Sequence, residues 1–562
     1  MQHVRAAQRF VLIALTLLSA CGASGVAPTG SADIGGAPGD FLAGRFAMGE
    51  GDYATAASDL LRAADQDPTN SELTLQAFIA CIDAGRPEAV KLARRLPDSQ
   101  VAQLVLADVD VKTGRWQAAE QIFHALPRQG MTQVLQPLLV AWAQLGGGHV
   151  DSALSTLRPY IDNPRFKGLF ALHGAMIADI GNRQDEASRL YRVAEGDLTE
   201  PNLRLAQILA SWQARTGQAA EAQHTLAALP SVAPDMTIAM PGLLATATKR
   251  PVPRAIDGIA EAYFTFAALL RGQEANDFAL IMLHMALDLR PDFTAARVLT
   301  ADILARENHP QVALRTLSDV PSTDPILPVV QLRRAGLLDR LGRSDEAMKE
   351  LDRLSRDYPS SPLPDAQRGD ILRQTSHFTE AVAAYDKSIA RIAKPISTDW
   401  LIFYNRGVAE ERSHQWDKAD ADFHTALKLS PDQPFVLNYL GFSYADMGRH
   451  LAQARQMIER AAQSRPNDGA ITDSLGWVMF RQGEMKEAVR TLERAVELDS
   501  EDPTINEHLG DAYWAVGRKL EARYQWRRAL TLHPAADDVP KLEAKISNSR
   551  PGALSSADSK RP

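Results

Sequence analysis

The chain is poor in the patterns that carry chemistry. It has no His-Glu-x-x-His, no paired Cys-x-x-Cys, no Walker loop and no Gly-x-Ser-x-Gly, so the common hydrolase, nucleotide and zinc motifs are missing. Its 13 histidines are scattered without ligand spacing. Positive charge is not in excess: 61 Lys and Arg stand against 69 Asp and Glu, for a net charge of −8. A general nucleic-acid binder would usually carry a basic surplus. The apolar run at residues 10–18 is too short to span a bilayer as a helix. There are only 2 cysteines, Cys21 and Cys81. With 562 residues the chain is too long for one compact core.

What is present is repetition, clearest over residues 400–534. Gly407, Gly441, Gly476 and Gly510 are spaced 34, 35 and 34 residues apart. Ala419, Ala454, Ala488 and Ala522 keep that spacing, as do Ala426, Ala461, Ala495 and Ala529. Pro431, Pro466 and Pro534 close three of the four units, with Ser500 in the fourth place. A period near 34 with small residues at fixed offsets predicts a helix–turn–helix repeat. A large residue recurs at Phe423, Ile458, Leu492 and Trp526. Two helices pack closely where one offers a gap and the other a bulky side chain to fill it. Gly448, Gly483 and Gly517 fall between the two helices, where a residue accepting positive φ is favoured. One extra residue between Gly448 and Ala454 explains the single 35 and lengthens a turn.

The segments Leu440-Gly441-Phe442-Ser443-Tyr444, Leu475-Gly476-Trp477 and Leu509-Gly510-Asp511-Ala512-Tyr513, with the alanines and prolines that follow, resemble the tetratricopeptide repeat (TPR) family. The resemblance implies an all-α superhelical solenoid of antiparallel helix pairs, with about fourteen repeats in two blocks. It also implies a non-enzymatic protein that binds protein or peptide segments in a groove lined by the first helix of each unit. Carried over position by position, that groove comprises Tyr404, Asn438, Phe442, Asp473, Trp477, Phe480, Glu507, Asp511 and Trp514. The family's clamp for a C-terminal carboxylate needs Lys and Asn at places held here by Tyr404, Val408, Asp473 and Glu507, which argues against a chaperone-tail ligand. An aromatic floor with acidic walls suits apolar or basic segments. Alternatively, some of these aromatics belong to the core. Glu507, His508 and Asp511 lie within one helical turn. They read either as a metal-ligand set or as the solvated side of a groove helix, the second reading being preferred. No cofactor, catalytic residue or metal site is expected.

At the N-terminus, Arg5 and Arg9 precede the apolar run, which ends in Leu18-Ser19-Ala20-Cys21. This is the form of a signal peptide and resembles the bacterial lipobox, which implies that Cys21 is lipidated. A plain signal peptide cut after Ala20 is the alternative. Lipidation with several acyl chains anchors a protein stably. Gly22 in place of Asp implies, by the sorting rule of such lipoproteins, the periplasmic face of the outer membrane of a Gram-negative bacterium. With Cys21 lipidated, Cys81 has no partner, and its setting Phe78-Ile79-Ala80-Cys81-Ile82 predicts a small buried hydrophobe. Residues 22–39, nearly all small, form a tether with a root-mean-square span of roughly 25 Å.

Taking the alanine of each second helix as a marker gives Ala56, Ala89, Ala119, Ala153, Ala187 and Ala222, then Ala279, Ala313, Ala347 and Ala381 before the four clear units. The gap holds Pro230, Pro234, Pro241, Pro251 and Pro253, which forbid one continuous helix. Met236-Thr237-Ile238-Ala239-Met240 within it is apolar and reads as a packed connection in preference to a binding loop. A second irregularity, Ala393-Lys394-Pro395-Ile396, stretches one later interval. The expected organisation is a signal peptide at 1–20, a tether at 21–39 and a degenerate block at 40–229. A proline-rich connection follows at 230–256, then a second block at 257–534 and a capping helix with a disordered tail at 535–562. The function read from this is a scaffold or adaptor lipoprotein for periplasmic proteins, such as a protease or cell-wall hydrolase. The alternative is a scaffold of exopolysaccharide export or envelope assembly.

Overall fold

The computed structural model describes residues 36–128, 132–164, 166–197, 202–271 and 275–549. The expected signal peptide, Cys21, most of the tether and most of the tail lie outside these residues. Every regular element among the described residues is a helix. From Ala37–Gly49 to Lys519–Thr531 the helices form fourteen consecutive pairs, interrupted by the connection and followed by Val539–Asn548. This is the all-α TPR solenoid architecture. No described helix is long and apolar enough to cross a membrane.

Local sequence explains why the helices start and stop where they do. Asp52, Asn70, Asp468 and Asp502 each accept hydrogen bonds from backbone N–H groups of the first turn that follows, satisfying donors that have no partner within the helix. Pro503 opens its helix, where its missing N–H costs nothing. In the turns, Gly448, Gly483 and Gly517 take φ of 68°, 84° and 86°. The extra residue of the long unit is accommodated by a second left-handed position, His450, at φ 49°.

The described residues fall into two compact units, within Met1–Ala102 and Gln103–Pro562. In the first, Ala37–Gly49 packs on Tyr53–Gln66, and a methyl placed on Gly44 would sit 2.6 Å from Leu60 Cγ. Cys81 is buried, and burial pushes its thiol up to about 11, as befits an inert core residue. In the second unit, methyls on Gly407, Gly441, Gly476 and Gly510 would lie 2.8, 2.8, 2.6 and 2.5 Å from Phe423, Ile458, Leu492 and Trp526. The small-to-large packing expected from spacing is therefore the packing observed.

The connection is packed. Short helices at Leu229–Val232, Pro234–Ala239 and Met240–Thr246 bury Met236, Ile238, Ala239 and Leu243. Asp235 pairs with Arg333 of Leu327–Arg340 at 3.2 Å. The next helix, Ala255–Arg271, then packs on Thr132–Gly146, more than a hundred residues earlier. Gly258 faces Trp142 so closely that a methyl there would lie 2.2 Å from the indole, and the Tyr263 hydroxyl donates to Asp108 at 3.0 Å. The Trp142 indole N–H donates to His173 Nδ1 at 3.0 Å.

Candidate functional site

The first helices of the last four pairs, Trp400–Arg412, Pro434–Asp446, Gly469–Arg481 and Pro503–Ala515, carry the residues assigned to the groove. Their second-helix partners hold them at a fixed pitch through the glycine contacts above. Tyr404, Asn438, Phe442, Phe480, Glu507, Asp511 and Trp514 are half-buried, while Asp473 and Trp477 are buried at 4% and 8% exposure.

Those two buried residues depart from the open aromatic floor. Trp477 stacks on His508 of the following unit, with ring centroids 4.1 Å apart, and on Phe480 at 5.1 Å. The Arg481 guanidinium lies 5.8 Å from the same ring. Asp473 Oδ2 pairs with His508 Nδ1 at 2.8 Å. Burial pulls the His508 imidazole down, but Asp473, Asp511 and Glu507 outweigh it and leave the group raised above its ordinary value. Phe442 approaches the same imidazole at 5.9 Å. His508 therefore ties one repeat to the next. Spacing could not show that the next helix covers the Trp477 indole.

The acidic wall is also partly occupied. Lys545, on the C-terminal helix Val539–Asn548, reaches Glu507 at 2.6 Å and Asp511 at 2.7 Å, and that helix buries Leu542 and Ile546. Asp511 also accepts from the Trp526 indole at 2.9 Å. Trp514 packs 5.4 Å from Trp526 and lies under Lys519 Nζ, 3.5 Å from its ring centre. The Glu507, His508 and Asp511 groups thus point to protein partners on three sides.

Of the residues assigned to the groove, Tyr404, Asn438, Phe442 and Phe480 keep part of their surface exposed. Asn438 Oδ1, Asp473 Oδ1 and Trp477 Nε1 are buried with no hydrogen-bond partner. An unpaired buried polar atom costs about 1–3 kcal/mol. Tyr404 packs edge-on to Tyr439 at 5.8 Å, and Tyr439 donates to Glu411 at 3.1 Å, which fixes the rim at that end. Sequence spacing does not reveal the unsatisfied atoms, which depend on how neighbouring helices seat.

Two family models agree with this architecture. A family model described as TPR repeat matches residues 476–517, and one described as tetratricopeptide repeat matches residues 330–361. A TPR repeat-containing protein of Pseudomonas aeruginosa is 28% identical over 200 residues, 35% of this chain and 33% of that protein. The human cell division cycle protein 16 homolog is 25% identical over 209 residues, 35% of this chain and 33% of its own length. The chain thus spans about a third of the length of these curated relatives. Among solved structures, the APC/C hetero-tetramer Cut9-Hcn1 aligns with a TM-score of 0.39 at 14% identity, over 92% of this chain and 96% of that one.

Proposed function

Because this chain belongs to the tetratricopeptide repeat family, a fold that serves protein–protein interaction, we propose that it is a non-enzymatic scaffold that holds protein segments in the groove of its last four repeats. The observation that carries the reading is the pair of half-buried rings, Phe442 and Phe480, at positions the resemblance assigns to the groove. A bound polypeptide covers the rings with apolar side chains. Phe480 and Phe442, not the covered Trp477, are the anchors in this reading. Few interface residues dominate binding, and they are commonly aromatic.

The proposed setting is the periplasmic face of an outer membrane, with Cys21 as the lipid anchor and a periplasmic protein, such as a protease or cell-wall hydrolase, as partner. The lipobox-like Leu18-Ser19-Ala20-Cys21 supports it. Crosslinking in intact envelopes followed by pull-down tests the partner, with Phe480→Ala and Phe442→Ala compared against the unaltered chain. The pair should cut capture by about 30-fold or more with little change in melting temperature. Unchanged capture by a stable double variant removes the groove from the account. Cys21→Ser should release the protein from the membrane fraction. Its persistence in the outer membrane after a high-salt wash would end the anchor assignment.

A further inference from the structure

The helix Ala37–Gly49 is apolar on both sides, yet only one side is covered. It packs on Tyr53–Gln66 and buries Gly44 and Ala47. On the other side Leu42 and Phe46, one turn apart, are 62% and 71% exposed. They stand two residues before and two after the packing glycine. In the last four pairs the same offsets hold Asn405 and Ala409, Ser474 and Val478, and His508 and Ala512, all buried, with Tyr439 and Ser443 half-buried. There the preceding unit supplies the cover: Asn405 meets Asp370, and His508 meets Asp473. Among the described residues, no unit precedes Ala37–Gly49. A repeat end that faces water carries polar residues. This one carries Pro38, Leu42, Ala43 and Phe46, with Arg45 as the charge on the exposed side and Glu50 just past the last turn. Asp40 turns away to Arg62 at 3.0 Å and Gln66 at 2.9 Å. A helix that is apolar all round is a covered helix.

We propose that the cover is a phospholipid surface: Ala37–Gly49 lies on the membrane that carries the protein, with Leu42 and Phe46 in the boundary between headgroups and acyl chains. Arg45, which has no acidic partner among the described residues and reaches only Gln76 at 3.4 Å, extends to the lipid phosphates. The proposal rests on the reading of Cys21 as a lipid anchor. Only residues 22–36 separate Cys21 from this helix, and even fully extended they span no more than about 60 Å. The acyl chains supply the main affinity and hold the face at a high effective concentration beside the bilayer. Two large side chains are then enough to fix its orientation. They are not enough for a second copy of the chain, because a stable interface buries about 800 Å² on each partner. Residues 22–35 offer only Val26 and Ile34 as large apolar side chains, too little to cover the face from within the chain.

The test uses the full-length protein purified from membranes and reconstituted in vesicles of phosphatidylethanolamine and phosphatidylglycerol. Phe46→p-benzoylphenylalanine supplies a photocrosslinker, and the intact mass reports acylation of Cys21. Irradiation should join residue 46 to phospholipid, identified by mass spectrometry. The same group at Asp65, exposed on the second helix of the pair, should not be joined to lipid. Adding Leu42→Asp should cut the lipid adduct at residue 46 by at least about threefold. Both side chains are exposed, and a melting curve checks that each variant folds. Acylated protein whose residue 46 joins residues 22–35, a second copy or nothing overturns the docking and leaves the anchor standing. So does a lipid adduct that ignores Leu42→Asp or forms equally at Asp65. A chain without acylation ends the anchor reading and the docking with it. None of these results touches the groove of the last four repeats.

Discussion

At Gly476 one methyl group decides whether a repeat packs. An added Cβ would fall 2.6 Å from Leu492 Cγ and 2.8 Å from Cδ2, and Cγ is a branch point close to the backbone with little room to swing. Overpacking of this kind costs about 1–3 kcal/mol. Gly476→Ala should therefore lower the stability of Gly469–Arg481 and Met485–Leu498, seen as faster amide exchange in those two helices. Exchange unchanged within error would mean the helices separate freely and the close approach is not needed. One position later, Trp477 shows where reading by offset stops. Its inward direction follows from a period near 34, but its burial follows from His508, whose ring arrives from a different repeat at 4.1 Å. Offsets within one helix contain no term for the next one, so the floor expected at Trp477 proved to be an inter-repeat contact, with Phe480 beside it at the surface.

Among elements, the four final pairs were legible because each glycine and its bulky partner repeat in phase. The helix Ala255–Arg271 was not. It obeys the repeat at Ala279 of its own hairpin and also buries Gly258 against Trp142 and Tyr263 against Asp108, contacts that no periodicity encodes. The same packing creates a pH response. His173 is fully buried, takes its hydrogen bond from Trp142 at Nδ1, and is pushed by burial down to about 4. In the unfolded chain it titrates near 6.5. As pH falls from about 6.5 to 4 the unfolded state binds a proton that the folded state refuses, and stability drops by roughly 3 kcal/mol. His508 has the opposite sign. Its raised value gives stability that is full below about 6.5 and lost as pH rises through the folded value. Lowering pH from 7.5 to 5 should reduce amide protection in Lys167–Ile180 and increase it in Pro503–Ala515. His173→Gln, which keeps an acceptor for the indole, should flatten the first response and leave the second intact. Parallel changes in both helices would refute the assignment.

For the whole molecule, the question is whether the repeats after the proline-rich connection stand without those before it. Repeat stability is mostly the sum of each unit and its nearest neighbours. The helices from Asn276–Leu289 onward keep their repeat neighbours when the chain is cut near residue 257, although Leu327–Arg340 loses Pro234–Ala239 and the Asp235–Arg333 pair. The helix Ala255–Arg271 keeps its own hairpin partner but loses Thr132–Gly146, leaving Tyr263 without Asp108 and the face at Gly258 without Trp142. A fragment from about residue 257 to the C-terminus is therefore expected to melt cooperatively, with its first helix exchanging amides far faster than in a fragment starting at residue 103. The loss should stay local, because the unit after the first is stabilised from its C-terminal side as well. If the shorter fragment is unfolded or aggregates, the two blocks share a core through Ala255–Arg271 and fold as one. If its first helix stays as protected as in the longer fragment, the contact with Thr132–Gly146 adds no stability, and the close fit of Trp142 over Gly258 is a consequence of the connection's path, with no energetic role.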